Sequence, residues 1–178
     1  VAQEAGSPYP FFLAHPLPSI DALGAPEGWQ VEWKYDGIRA QVVRRAGSVW
    51  IWSRGEELVT ERFPEIATAA MALPDGCVLD GEILAWRADD AQPAPFALLQ
   101  QRIARKSLTR KVLAEAPVSF LAYDLLEAQG KDLRMIAQHE RRQRLEALAG
   151  AHVGAALRVS PLVAADDWGG FAKLRGEA

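Results

Sequence analysis

The sequence predicts an α+β fold, antiparallel sheets flanked by helices, and three patterns predict it. Val31, Trp33 and Tyr35 alternate with Glu32 and Lys34 at a period of two, the signature of a strand with unlike faces. Short Gly-containing turns separate this run from further apolar runs, as hairpins require. Helical stretches with a proline start or amphipathic spacing accompany these strands as flanking elements.

The elements follow in order. Pro8-Tyr9-Pro10-Phe11-Phe12 through Pro16-Leu17-Pro18 is too rich in proline for a helix and reads as an extended arm. After Pro26-Glu27-Gly28 the strand Val31 to Tyr35 begins, and Asp36-Gly37 is expected to turn it into a hairpin with Ile38 to Val43, since Gly accepts positive φ at little cost. A second turn at Ala46-Gly47-Ser48 leads into the strand Val49-Trp50-Ile51-Trp52. Phe63-Pro64-Glu65-Ile66 opens a helix with Pro in its first turn, running to about Leu73. Pro74-Asp75-Gly76 ends it, and two short strands are expected, Cys77 to Leu79 and Ile83 to Trp86, separated by Asp80-Gly81-Glu82. Ala88 to Pro95 reads as a loop, Phe96 to about Lys106 as a helix, and Val118 to Leu125 as a buried strand. Gln138 to Ala149 sets Arg141, Arg142, Arg144 and Glu146 around Leu145 and Leu148, a solvated amphipathic helix. Trp168 to Ala178 reads as a helix broken off in mid-course.

At 178 residues the chain supports one domain with a sizeable core. Residues 1–28 are expected to be an arm of the same domain that residues 29–178 form. The net charge of -3 gives no global field favouring nucleic acid, although a local basic face would not show in the sum. A single cysteine, Cys77, excludes an internal disulfide framework and fits a reducing compartment. No apolar run approaches the roughly 18 residues that a spanning helix needs. The opening residues lack the basic start and apolar stretch of a secretion signal. A start at Val1 suggests an excerpt of a longer protein.

In the strand that runs into Lys34-Tyr35-Asp36-Gly37, alternation points Glu32 and Lys34 the same way. A charged pair on one face is either a solvated outer face or the wall of a polar pocket, and periodicity leaves both open. His15, His139 and His152 are scattered without metal-ligand spacing. Trp50 and Trp52 share a strand face and are expected in the core. Arg102, Arg105, Lys106, Arg110 and Lys111 form a basic cluster that is either solvated or turned toward nucleic-acid phosphates.

Context narrows these readings. Glu32-Trp33-Lys34-Tyr35-Asp36-Gly37-Ile38-Arg39 resembles the first motif of the covalent nucleotidyltransferases, which comprise DNA ligases, RNA ligases and mRNA-capping guanylyltransferases. Ser53-Arg54-Gly55, Leu79-Asp80-Gly81-Glu82-Ile83 and Ser119-Phe120-Leu121-Ala122-Tyr123-Asp124-Leu125 resemble the next three, in the family's order and at its distances. Phe63-Pro64-Glu65 and Gly130-Lys131-Asp132-Leu133-Arg134 are similar to bacterial ATP-dependent DNA ligases in particular. The resemblance implies a nucleotidyltransferase (ATP-grasp-like) ligase core, here a truncated adenylation domain.

It implies roles for single residues as well. Lys34 would be the nucleophile that attacks the α-phosphorus of ATP, forming a lysine–AMP phosphoramidate and releasing pyrophosphate. A lysine at its ordinary pKa of about 10.4 is neutral less than about one part in a thousand at pH 7. A working nucleophile therefore needs partial burial or nearby positive charge, such as Mg²⁺ (or Mn²⁺) or Arg. Glu82 would accept from the ribose hydroxyls, with a weaker suggestion of metal binding, or else cap the Asp80-Gly81 turn. Tyr123 would stack on adenine. Asp124 would orient Lys34 or the metal, or bond to backbone. Arg39 and Arg54 would hold the α-phosphate, the ribose and the 5′-phosphate of a nick, a task that suits guanidinium. Glu32 would read the exocyclic amino group of adenine. Asp36 is expected to shape the hairpin turn.

The family's later motifs, a Glu-Gly pair with a following Lys and a Lys-x-Lys element, are missing after Arg175-Gly176-Glu177-Ala178. The excerpt is accordingly expected to be impaired alone. The partners implied are nicked duplex DNA, a carboxyl-terminal OB-fold domain and an amino-terminal DNA-binding domain, with no membrane. The setting implied is the bacterial cytoplasm, at the nucleoid, in DNA repair, recombination or replication. Two alternatives remain: an RNA ligase or capping guanylyltransferase using the same lysine chemistry, and a non-catalytic nucleotide- or nucleic-acid-binding relic.

Overall fold

After 3-10 turns at Ile20–Leu23 and Pro26–Gly28 the chain enters β1 (Val31–Glu32), then β2 (Ile38–Arg45) and β3 (Ser48–Ser53). A third 3-10 turn, Thr60–Arg62, leads into α1 (Pro64–Ala70), β4 (Cys77–Ala85), α2 (Phe96–Ile103) and α3 (Arg110–Glu115). β5 (Val118–Ala128), β6 (Lys131–Asp132), α4 (Gln138–Gly150), β7 (Leu157–Val159), β8 (Leu162–Val163) and α5 (Trp168–Gly176) complete it. The computed structural model describes residues 5–178, so the first four residues of the expected arm lie outside the described residues.

The chain divides into two units. One comprises residues 1–10 and 35–159, the other residues 11–34 and 160–178. The first holds a sheet ordered β3-β2-β4-β5-β6, antiparallel throughout, with β7 added parallel to β5. The second holds a two-stranded sheet in which Val31 and Glu32 of β1 face Val163 and Leu162 of β8, followed by α5. The α+β class with antiparallel sheets and flanking helices is as expected.

The turn at Ala46-Gly47 closes the β2–β3 hairpin with φ of 47° and 74°, the left-handed pair that matches strand twist. The turn expected at Asp36-Gly37 is a correction. The strand stops at Glu32 and pairs with β8, while β2 takes β3 and β4 as neighbours. Gly37 serves close approach instead: a Cβ there would lie 2.3 Å from the Ile83 carbonyl oxygen. Asp36, expected to shape the turn, is simply exposed.

The two short strands expected at 77–79 and 83–86 are one strand, β4, running through Asp80-Gly81-Glu82. Gly81 makes this possible, since a Cβ would lie 2.3 Å from the Leu121 carbonyl oxygen of β5. The register shifts between Val78 and Leu79 and between Asp80 and Gly81 leave Leu126 and Tyr123 as extra residues on β5. Such bulges bend a strand and re-aim its side chains. α2 ends at Ile103, short of Lys106, and α3 follows as a separate helix that Thr109 caps.

One sheet face is covered by helices. Ala40, Val42, Leu79, Ile83, Phe120 and Leu125 pack there with Ile66 and Ala70 of α1, Leu99 of α2 and Leu145 of α4. Each fully buried Ile, Leu or Phe contributes roughly 1.5–3 kcal/mol. The opposite face carries two smaller apolar groups. Tyr9, Val43, Val78 and Leu126 pack with Trp50 and Trp52 in one, so the tryptophan pair is half-buried as part of a secondary cluster. Leu84, Trp86 and Leu121 pack with Tyr35 in the other.

Candidate active site

Between those two apolar groups the same face is polar. Cross-strand partners share a face, so Arg39 stands beside Glu82, and Gln41 beside Asp80 and Trp52. Asp80 is opposite Asp124, and the bulge residue Tyr123 lies between Asp124 and Ala122. The Arg39 guanidinium donates from Nε (2.9 Å) and Nη2 (2.7 Å) to the two carboxylate oxygens of Asp80, and lies 5.4 Å from the Tyr123 ring centroid. Arg39, Glu82 and Tyr123, three of the residues singled out from sequence, are thus brought together.

Asp80 was not singled out. It is 4 % exposed, and burial pushes its carboxyl above the usual range against the opposing hydrogen bond from Arg39. The Arg39 guanidinium is held more firmly protonated, chiefly by its hydrogen bond to Asp80. A planar fork matched to a carboxylate fixes the arginine in one orientation. The sequence sign of this partner was a carboxylate among Val78, Leu79 and Ile83, since a buried charge demands a counter-charge.

Glu82 is half-buried in β4 rather than at a turn, and its Oε1 accepts from the Gly37 amide at 3.1 Å. That bond ties β4 to the backbone three residues beyond Lys34. Asp124 accepts from the Leu125 amide (2.8 Å) and pairs with Arg141 of α4 at 2.9 and 3.0 Å. Its hydrogen bonds therefore go to backbone and to α4, and α4 is less solvated than expected, with Arg142 6 % exposed beside Glu146. Arg54 sits exposed in the turn after β3, its amide bonded to the Arg39 carbonyl at 3.0 Å. Glu32 and Lys34 belong to the second unit: Glu32 is half-buried at the end of β1, and Lys34 is exposed, the last residue before the chain passes to Tyr35.

Sequence reasoning also missed Trp86. Its ring lies 6.4 Å from that of Tyr35 and 4.4 Å under the guanidinium of Arg158, and its Nε1 donates to the Asp90 carbonyl at 2.9 Å. In the basic cluster, Arg102 is a correction. It is 2 % exposed and bonded to both oxygens of Glu65, so it faces the interior, whereas Arg105, Lys106, Arg110 and Lys111 are exposed.

Among the described residues no three His, Cys, Asp or Glu side chains are grouped to hold a metal. Asp80 and Asp124 are engaged by arginines. The residues present do not form a dedicated metal cage.

The model of the ATP dependent DNA ligase domain matches residues 11–160. The chain belongs to this family. Among its relatives, a probable DNA ligase of Opitutus terrae is 47 % identical over 131 residues, covering 73 % of this chain and 13 % of that protein. A probable DNA ligase of an Anaeromyxobacter species is 40 % identical over 166 residues, 92 % of this chain and 31 % of that protein. The solved structure of mycobacterial DNA ligase D complexed with ATP and MES is 32 % identical with a TM-score of 0.65, covering 83 % of this chain and 44 % of that one. The ligase-family chain thus spans less than a third of the length of these curated relatives. Among the described residues no helix is long and apolar enough to cross a membrane.

Proposed function

We propose that the chain is the adenylylating core of an ATP-dependent DNA ligase, with Lys34 as nucleophile. The observation that carries this is the grouping of Arg39, Glu82 and the bulge residue Tyr123 on one sheet face, the residues that the first, third and following motifs supply. The Lys34 amine attacks the α-phosphorus of ATP. An N–P bond forms, the bond to the bridging oxygen breaks, pyrophosphate departs, and the amine gives up its proton. Tyr123 offers a ring for adenine, Glu82 an acceptor for the ribose hydroxyls, Glu32 an acceptor for the adenine amino group. Arg39 and Arg54 hold phosphate, with Arg39 pre-aligned by Asp80.

Lys34 is exposed, and as the nucleophile it gives up its proton as the N–P bond forms. Glu82 would offer one carboxylate oxygen to a Mg²⁺ (or Mn²⁺) ion, whose chemistry would be to neutralise phosphate charge. In the whole protein AMP then passes to the 5′-phosphate of a nick and the 3′-hydroxyl displaces it. That reaction involves nicked duplex DNA, an OB-fold domain and a DNA-binding domain, in the cytoplasm during repair, recombination or replication.

The test is incubation with α-labelled ATP and magnesium, followed by mass spectrometry of the Lys34 peptide. AMP is expected on Lys34, absent in Lys34→Ala, and GTP is expected to label poorly. Tyr123→Ala should weaken ATP binding by about 1–3 kcal/mol, the worth of a base stack. Label on another residue, or equal labelling by GTP, refutes the assignment.

A further inference from the structure

The polar face of the first unit borders an apolar group that the candidate site does not use. Glu82, Leu84 and Trp86 alternate along β4 and its continuation, so all three point to the same side of the sheet. The Trp86 amide carries the ladder one residue past the strand, donating to the Pro117 carbonyl at 2.8 Å. Tyr35 to Gly37 lies against this row. The Gly37 amide donates to Glu82 at 3.1 Å, and a Cβ on Gly37 would come within 2.7 Å of Leu84 Cδ2. The Tyr35 ring lies 6.4 Å from that of Trp86, tilted by 40°. The segment is thus held at both ends, by a hydrogen bond at Gly37 and by a ring contact at Tyr35.

The indole is itself fixed. Its Nε1 donates to the Asp90 carbonyl at 2.9 Å, Leu84 and Leu121 pack with it, and the Arg158 guanidinium lies over it at 4.4 Å. Arg158 stands on β7, opposite Leu121 in the register. Its Nε is buried without a hydrogen-bond partner, and its Nη2 reaches the Ala88 carbonyl only at 3.4 Å. The indole is therefore its main support, and the guanidinium covers the ring in return. A tilted aromatic pair at the Tyr35–Trp86 separation is a favourable arrangement. The first unit begins again at Tyr35, directly after Lys34. Lys34 is exposed, so aiming its amine falls to the backbone that carries it.

We infer that Trp86 is a positioning residue for adenylylation: through Tyr35 it holds the backbone from which Lys34 extends, and it touches neither the nucleotide nor the reacting atoms. Arg158 supports the indole in turn. The inference rests on the proposed role of Lys34 as nucleophile. A misplacement of about 1 Å at the reacting atoms can cost about a hundredfold in rate. ATP is held by other groups, so rate and affinity must separate when the ring contact is lost.

The experiment measures single-turnover AMP transfer to Lys34 and, separately, ATP affinity by equilibrium dialysis. The variants are Trp86→Leu, which keeps apolar bulk without the ring, Trp86→Phe, Tyr35→Ala and the double Trp86→Leu/Tyr35→Ala. Trp86→Leu and Tyr35→Ala should each slow transfer by about 10- to 100-fold, with ATP affinity within about twofold of the unaltered chain. The double variant should be no slower than the slower single one, because both remove the same contact. Trp86→Phe should restore most of the rate. Unchanged rates, losses that multiply in the double variant, or a loss of affinity in place of rate overturn the inference. Tyr35→Ala, on a half-buried ring, carries the comparison if Trp86→Leu does not fold. Hydrogen exchange of the Gly37 amide is followed in parallel and should quicken in the folded single variants while the paired amides of β2 and β4 keep their rates. If the unaltered chain puts no AMP on Lys34, the nucleotidyl-transfer reading is what fails. The exchange then decides alone whether Trp86 holds the segment, and an unchanged Gly37 amide overturns that too.

Discussion

A glycine at or within a strand has two explanations, a turn needing positive φ or a backbone that must approach another closely. Gly37 takes the second, as does Gly81, each within 2.3 Å of a neighbouring carbonyl oxygen if given a Cβ. The two motifs were legible as letters, and with them Arg39, Glu82 and Tyr123, but why glycine stands there was not, because the clash comes from another strand. Asp80 was hidden for the same reason, its partner lying on β2. Glu127 offers a clear test at this scale. It is 5 % exposed and accepts from the Tyr9 hydroxyl (2.6 Å) and from Arg45 Nε (2.9 Å) and Nη2 (2.6 Å). Burial pushes its carboxyl up, but the hydrogen bonds from Arg45 and Tyr9 together outweigh it and hold it below the ordinary 4.5. A carboxyl lowered by folding contributes stability that is complete above the unfolded value and is lost as pH falls through the folded one. Glu127→Gln should therefore unfold more easily in urea at neutral pH, with the gap to the unaltered protein closing once the pH drops below about 4.5. A gap that stays constant or widens in acid would show that Glu127 is not the titrating group.

At the scale of elements, local signals were read correctly where the deciding contacts were local. The Ala46-Gly47 hairpin, the proline-started α1 and the amphipathic α4 all carry their instructions within a few residues. The pairing of β1 with β8 does not, since its two halves come from opposite ends of the chain, and nothing periodic in Val31 to Tyr35 distinguishes a hairpin from a distant partner. Arg102 was misread because a charged residue on a helix is usually solvated. In fact it joins α1, α2, the end of α3 and the 3-10 turn Thr60–Arg62: α2 carries it, Glu65 of α1 pairs with it, and its guanidinium donates to the carbonyls of Arg62 and Ala116 at 2.9 Å each. Arg102→Ala leaves a carboxylate and two carbonyls without their donor. Breaking a buried pair costs about 3–5 kcal/mol, and the partial exposure of Glu65, 24 %, brings the expectation to about 2–4 kcal/mol. Urea unfolding measures it. A cost below about 0.5 kcal/mol, the level of an ordinary surface substitution, would mean that the three helices do not depend on this arginine.

For the molecule as a whole, the division into two units separates strong from weak cooperative structure. Every fully buried apolar side chain of the three clusters belongs to the unit of residues 1–10 and 35–159. The other unit has a two-residue strand pair, 3-10 turns and α5, with Phe12, Leu13, Leu17, Ile20 and Trp29 exposed and no buried residue in α5. Its internal ties include the Trp168 Nε1 bond to the Gly24 carbonyl (2.8 Å) and the Trp168–Phe171 ring contact at 5.6 Å. Elements with few buried apolar contacts open at lower free energy than core strands do. In native-state hydrogen exchange the paired amides of β1 and β8 should therefore exchange well before those of β2, β4 and β5, which are released only near global unfolding. Lys34, the proposed nucleophile, belongs to the second unit, and Arg39, Glu82 and Tyr123 belong to the first. Adding ATP should slow exchange in residues 11–34 more than in β4 or β5, since a ligand that binds one state protects the segments whose opening it suppresses. Equal protection of β1 and β4 without nucleotide would contradict the division, and it would remove any reason to expect the segment of the proposed nucleophile, Lys34, to respond more than β4 or β5.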